Sequence, residues 1–363
     1  MKNAMYPIER CVDREEEYQR WFSDLSQDPA YVHTVLYSAQ AYFDSFRSQS
    51  LGLRATIHMN KAIVFLRKTL GQPNLVITDS LIFVVLALAL ISEALGEVDA
   101  AQKHLHGLCQ LIKLRGGIAA IAQKHSLQVK CCRLDLAFAL KTGSRPLFFA
   151  GDSLSWKLYL TDPGKASAKT PAHTMCDVPD MRLVNTWRDL REFTMAVNLA
   201  HQAQRKISPE VFQEALISIQ YRLHHLSYDK HDRHDMLRIA MLAYTTTIFL
   251  EVHGAPARYR NLAAQLTTVL RSPEQQPGDR WLKLSLWYVF VGGLSVLDSP
   301  ENYPWLEEQL CRKTQALGLT DWMETRQVLK SFIWVDVVND RVGKRFFDRA
   351  MKSQAASSTW TED

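Results

Sequence analysis

The sequence predicts an all-α protein, a multi-helix domain of about ten to twelve packed helices with no sheet, on three observations. Apolar residues recur at three- and four-residue steps in segment after segment, almost no segment alternates as a strand would, and helix start and stop residues punctuate the periodic stretches. The 47% hydrophobic content of 363 residues is enough to build a sizeable core.

Taken in order, residues 31–46 carry Val32, Leu36, Ala39 and Phe43 on one face, a stripe expected to pack on a neighbour. Residues 55–70 repeat the pattern with Ile57, Ile63, Leu66 and Leu70, and stop at Gly71 with Pro73 just beyond. Thr78 or Asp79 then caps an apolar helix running to about residue 95, the expected centre of the core. Over 99–117, Leu105, Leu108, Cys109 and Ile112 follow an i, i+3, i+4, i+7 rule. Arg115 complements the dipole in its last turn, and Gly116 can close it in the left-handed conformation.

Ser126 opens another helix, which stops at Gly143. Residues 144–180 are the least regular stretch, with Pro146, Pro163, Pro171 and Pro179. Helices resume over 181–206, and Ser208, Pro209 and Glu210 supply a cap, a first-position proline and a favourable acid for the next. Further helices are expected over 237–252, 257–270, 281–297, 305–317 and 321–338. The domain plan is an N-terminal extension over 1–30, a helical half over 31–150, a loop or linker over 151–180, a second helical half over 181–350 packed on the first, and a disordered tail over 351–363.

A net charge of +5 gives no strong field for nucleic acid or anionic lipid. The longest apolar run, residues 81–91, falls well short of the roughly 20 residues that cross a bilayer, so no membrane contact is expected. The first twenty residues are acidic and polar where a signal peptide needs an apolar core, which predicts reduced thiols. Of the six cysteines only Cys131 and Cys132 are close, and as immediate neighbours on a helix they point about 100° apart. They read as buried thiols rather than zinc ligands.

No glycine-rich strand-to-helix loop, phosphate loop, nucleophile elbow or pair of metal histidines around a glutamate occurs, and no cofactor is expected. The richest polar cluster is LHHLSYDKHDRHD, in which His231 and His234 lie three apart with Asp235 beside them. These three are the weak metal candidates of the chain; the plainer reading is a solvated loop entering a helix whose dipole favours acids. A comparison with class I terpene synthases fails on the acids. Asn339 and Asp340 lack the partners that would complete a magnesium motif, and no aspartate-rich segment lies upstream. Basic residues are scattered, with one modest cluster at Lys344, Arg345, Arg349 and Lys352 that doubles as a weak nuclear-import signal.

The segment KHLHGLCQLIKLRGGIAAI resembles the most recognisable stretch of the fungal-specific transcription factor domain, a His-Leu-x-Gly-Leu helix running into a Leu-Arg-Gly-Gly turn. His104, Leu105, Gly107, Leu108, Leu114, Arg115, Gly116 and Gly117 occupy those positions. CCRLDLAFALKTGSRPLF is similar to the helix and turn that follow, through Arg133, Asp135, Gly143, Arg145, Pro146 and Phe148. A looser likeness extends over 31–347, taking in WYVFVGGLSVL, Trp322 and Trp334.

The motif residues read as structural. Gly116 and Gly117 let the chain turn, Gly107 lets a neighbouring helix approach, and Arg115 is expected to pair with Asp135. The resemblance implies a nuclear, non-enzymatic transcription regulator, pathway-specific and of a kind that includes regulators of secondary-metabolite genes. Its partners would be a DNA-binding transcription factor or the transcription machinery, with homo- or heterodimers and a small effector as further options. The family's N-terminal cysteine array has no counterpart here, since Cys11 stands alone, so direct sequence-specific DNA binding is not expected. Three outcomes follow: action through a DNA-binding partner, antagonism of a full-length relative, or no activity. A helical enzyme, a small-molecule-binding protein and an inactive dimerisation scaffold are the alternatives.

Overall fold

The computed structural model describes residues 28–46, 51–149, 154–160, 180–230, 232–250, 259–272 and 278–359. The expectations for residues 1–27, for 161–179 of the linker and for 360–363 lie outside these, as do Cys11, Cys176 and His231. Among the described residues there are thirteen α-helices and no sheet. They are α1 (Pro29–Phe46), α2 (Leu53–Leu70), α3 (Asp79–Ala94), α4 (Val98–Arg115), α5 (His125–Thr142), α6 (Met181–Gln202), α7 (Pro209–His225), α8 (Arg233–Thr245), α9 (Arg260–Arg271), α10 (Asp279–Leu294), α11 (Tyr303–Ala316), α12 (Trp322–Lys330) and α13 (Asp336–Thr359). The protein is all-α. Two compact units share these helices, the first ending at Phe138 and the second beginning at Ala139, inside α5.

In the first unit α3 is the central helix. Thr78 caps it, its hydroxyl oxygen accepting from the Leu81 amide at 3.2 Å, and Leu81, Ile82, Val84, Leu86 and Ala89 are among its buried residues. α1 and α2 form an antiparallel hairpin: His33 stacks on Phe65 and lies beside His58, while Asp44 accepts from the Gly52 amide at 2.9 Å across the connection. The face of α1 that is buried differs from the one expected. Tyr31, Thr34, Tyr37 and Ala41 point inward, with Tyr31 against Phe83 of α3 at 4.5 Å, whereas Leu36 and Phe43 are 44% and 49% exposed and Ala39 also faces out. α1 has apolar residues on both sides, and the tyrosines have the larger surface to bury. On α2, likewise, Leu66 is buried but Ile57 and Leu70 are exposed.

The second unit is built around aromatics. Trp287 of α10 is fully buried with Trp187 of α6 at 5.7 Å, Tyr244 of α8 at 6.0 Å and Phe332 at 6.2 Å. A second cluster joins Phe290, Trp322, Trp334 and Phe346. Glycines make this approach fit: a Cβ on Gly293 would lie 2.6 Å from the Phe346 ring, and one on Gly343 2.8 Å from Trp322.

The expected single helix over 321–338 is two helices. Phe332, Ile333, Trp334 and Val335 are all buried, which no single helix face allows for four consecutive residues. Side chains take over the backbone groups freed by the break: Trp287 Nε1 donates to the Ile333 carbonyl (2.9 Å), Asn198 to the Trp334 carbonyl (2.8 Å), and Asn339 Oδ1 accepts from the Val335 amide (2.9 Å). At the other end, α13 continues to Thr359, past residue 351 where the sequence predicts a disordered tail; Ser353 is held there by Glu307 of α11 at 2.7 Å. Ser208 precedes α7 without capping its backbone, donating instead to Glu210.

Candidate functional site

The Leu-Arg-Gly-Gly turn closes α4 in the first unit. Leu105 and Leu108 are buried beneath it, and Gly116 and Gly117 hold φ values of 109° and 94°, a left-handed pair that only glycine adopts without strain. The Gly117 amide donates to the Ile112 carbonyl at 2.8 Å and that of Gly116 to Lys113 at 3.1 Å, which satisfies the last carbonyls of the helix. Arg115 does not reach Asp135. It pairs with Asp79 at 2.7 Å and donates to the Ile77 carbonyl at 2.6 Å, so the turn is fastened to the start of α3, where Asp79 also favours the helix dipole. Asp135 is buried on α5 and Arg133 is half-buried there.

Gly107 also departs from expectation. Among the described residues a Cβ on it would meet nothing within 4 Å, so it serves no close approach of a described helix. Half-buried His104 has its pKa lowered by burial, and Leu114 is 73% exposed. Gly143 ends α5 at φ 76°, its amide donating to the Ala139 carbonyl at 2.8 Å. Arg145 is exposed, Pro146 buried and Phe148 half-buried, all three in the second unit. Of the motif residues, Arg115, Gly116, Gly117 and Gly143 make turns and fasten helices; nothing in the arrangement of the set activates a nucleophile or gathers charge for catalysis.

The weak metal candidates do not converge among the described residues. His234 gives Nδ1 to Asp232 at 2.8 Å, its Nε2 accepts from the Asp180 amide at 3.4 Å, and its ring stacks on Tyr228. Asp235 pairs with Arg238 at 2.7 Å, and His231 lies outside the described residues. Among the described residues no three His, Cys, Asp or Glu are grouped to hold a metal. The cluster is the loop and cap between α7 and α8, Asp232 accepting from the His234 amide at 2.8 Å. Asn339 and Asp340 are likewise committed, the first accepting from the Tyr244 hydroxyl (2.9 Å), the second pairing with Arg326 (2.8 Å) and accepting from Trp334 (2.8 Å). Of the C-terminal basic cluster, Lys344 pairs with Asp348 at 2.6 Å and Arg349 with Glu307. Cys131 and Cys132 are fully buried thiols, Cys131 pushed well up in pKa chiefly by burial.

Sequence reasoning missed two features of the second unit. Asp189 of α6 and Arg222 of α7 form a fully buried ion pair at 2.7 Å, and Asp189 also accepts from the amides of Tyr159 and Leu160 at 3.0 and 3.1 Å. With Asn185 donating to the Trp156 carbonyl, this pins residues 154–160 to α6. A concavity of about 500 Å³ is lined by Leu270, Leu282 and Ala316 together with Ser272, Gln309, Arg271, Arg312 and Lys313, with no carboxylate among the described lining residues. Neither feature carries a signal in sequence, since each depends on how neighbouring helices pack and not on residue spacing within one helix.

Residues 3–141 match the fungal specific transcription factor domain. The match takes in α1 to α5, and with them His104 to Asp135 of the motif; it ends before Gly143, Arg145, Pro146 and Phe148. No curated protein and no solved structure was found to match the chain. The transcription factor domain match, over less than half of the chain, supports a role in transcription regulation. No helix among the described residues is long and apolar enough to cross a membrane.

Proposed function

We propose that this protein is a nuclear, pathway-specific transcription regulator, of the kind that controls secondary-metabolite genes, and that it acts through protein partners. The transcription factor domain match over residues 3–141 carries the reading. Two observations agree with it: Arg115, Gly116, Gly117 and Gly143 are spent on turns and helix fastening, and the described candidates His234, Asp235, Asn339 and Asp340 have structural partners. A DNA-binding transcription factor or the transcription machinery is the partner class, met by exposed helix faces. The cationic concavity between α9, α10 and α11 suits a small anionic effector as an accompanying regulator.

Immunoprecipitation of the tagged protein from nuclei, with bound chromatin and partners identified together, tests this. The reading expects chromatin recovered alongside a DNA-binding partner. A protein confined to the cytosol and recovered without chromatin would overturn it.

A further inference from the structure

We infer that the outer face of the α1–α2 hairpin is a docking surface for an acidic amphipathic helix of a partner protein. Leu36 and Phe43 lie seven residues apart on α1, as do Ile57 and Val64 on α2, and a seven-residue step returns to the same face within about 20°. With Leu53 they are exposed, Leu53 and Val64 at 76% and 62%. On α1 this row adjoins His33, which faces α2, and points away from Tyr31, which packs on α3. On α2 the row lies opposite the buried Ala55, Ala62 and Leu66. Both rows therefore look outward, as two apolar ridges on one side of the hairpin.

Arg54, Lys61 and Lys68 follow one another at seven-residue steps on α2, on the side of its apolar row that turns toward α1, so a cationic line runs between the ridges. All three are exposed, and none forms an ion pair among the described residues. α2 contains no acidic residue, and the one acid of α1, Asp44, is buried and accepts from Gly52 and Gln40. A cationic groove between apolar ridges complements a helix that interleaves apolar residues with Asp or Glu on one face. A second copy of this hairpin would set the cationic lines against each other, and a bare phosphate backbone would leave the ridges uncovered.

The inference rests on the proposed regulatory role and is tested apart from it on the purified full chain. An 18-residue fluorescent peptide, the length of α2, carries Leu interleaved with Glu on one face; a control carries Lys in place of Glu. The expected result is anisotropy-detected binding of the Glu peptide that weakens with salt, no binding of the Lys peptide, and about tenfold weaker binding in Lys61→Glu and in Ile57→Glu/Val64→Glu. These positions are exposed, so the thermal melts should match the parent. Absence of binding, or binding unchanged in the variants, overturns the inference. So does self-association, duplex DNA binding or binding to anionic vesicles that the same substitutions abolish while peptide binding is absent. Peptide binding by a protein that never reaches chromatin would instead overturn the regulatory reading and leave the docking face standing.

Discussion

Gly107 lies within α4 and Gly116 caps it, and the two answer to different constraints. Gly107 has helical backbone and open space around its missing Cβ, so Gly107→Ala should stabilise the protein by about 0.5–1 kcal/mol. Gly116→Ala forces a side chain into a left-handed position and should cost about 1–2 kcal/mol. Urea unfolding followed by circular dichroism reads both; equal effects in the two variants would contradict the turn geometry. Arg222→Ala leaves Asp189 charged and buried without its counter-ion and should cost about 3–5 kcal/mol in the same measurement. His224 is a third case. Burial, with Arg238 and His225 nearby, holds its pKa at about 3 against an ordinary 6.5, so its neutral form belongs to the fold and the unfolded chain takes up the proton first. The stability it contributes is complete above about pH 6.5 and is lost as the pH falls from there toward 3, and His224→Leu should flatten that acid limb.

At the scale of elements, the helices were legible because apolar spacing and end signals are local. Thr78, Gly116 and Gly143 sit at helix ends as the sequence predicts, each through its own hydroxyl or left-handed φ. What was not legible depends on distant partners. The break at 331–335 is held by Asn198 and Trp287, far upstream, and α1 offers two apolar faces between which only packing on α3 decides. The motif residues were found from sequence, yet Arg115 chose Asp79 over Asp135 because the turn lies against the start of α3 rather than along α5. Packing of α10 on α13 gives a test of its own. Gly293→Ala would drive a Cβ into Phe346 and should cost about 1–3 kcal/mol despite alanine's better helix propensity, as read by thermal melting against the parent.

For the whole molecule, the charge distribution bears on function more than the net +5 does. Buried or half-buried cations such as Arg115, Arg222 and Arg326 are matched by Asp79, Asp189 and Asp340, while the row on α2 has no ion-pair partner among the described residues. That contrast separates groups that hold the fold from groups open to a partner. We propose that the helical scaffold regulates transcription through protein contacts. Fusing the full chain to an unrelated DNA-binding module and reading a reporter placed behind that module's site tests it most directly. The expected result is a change in reporter transcription that falls away when Ile57 and Val64 are replaced by Glu; a reporter indifferent to the tethered chain would overturn the proposal.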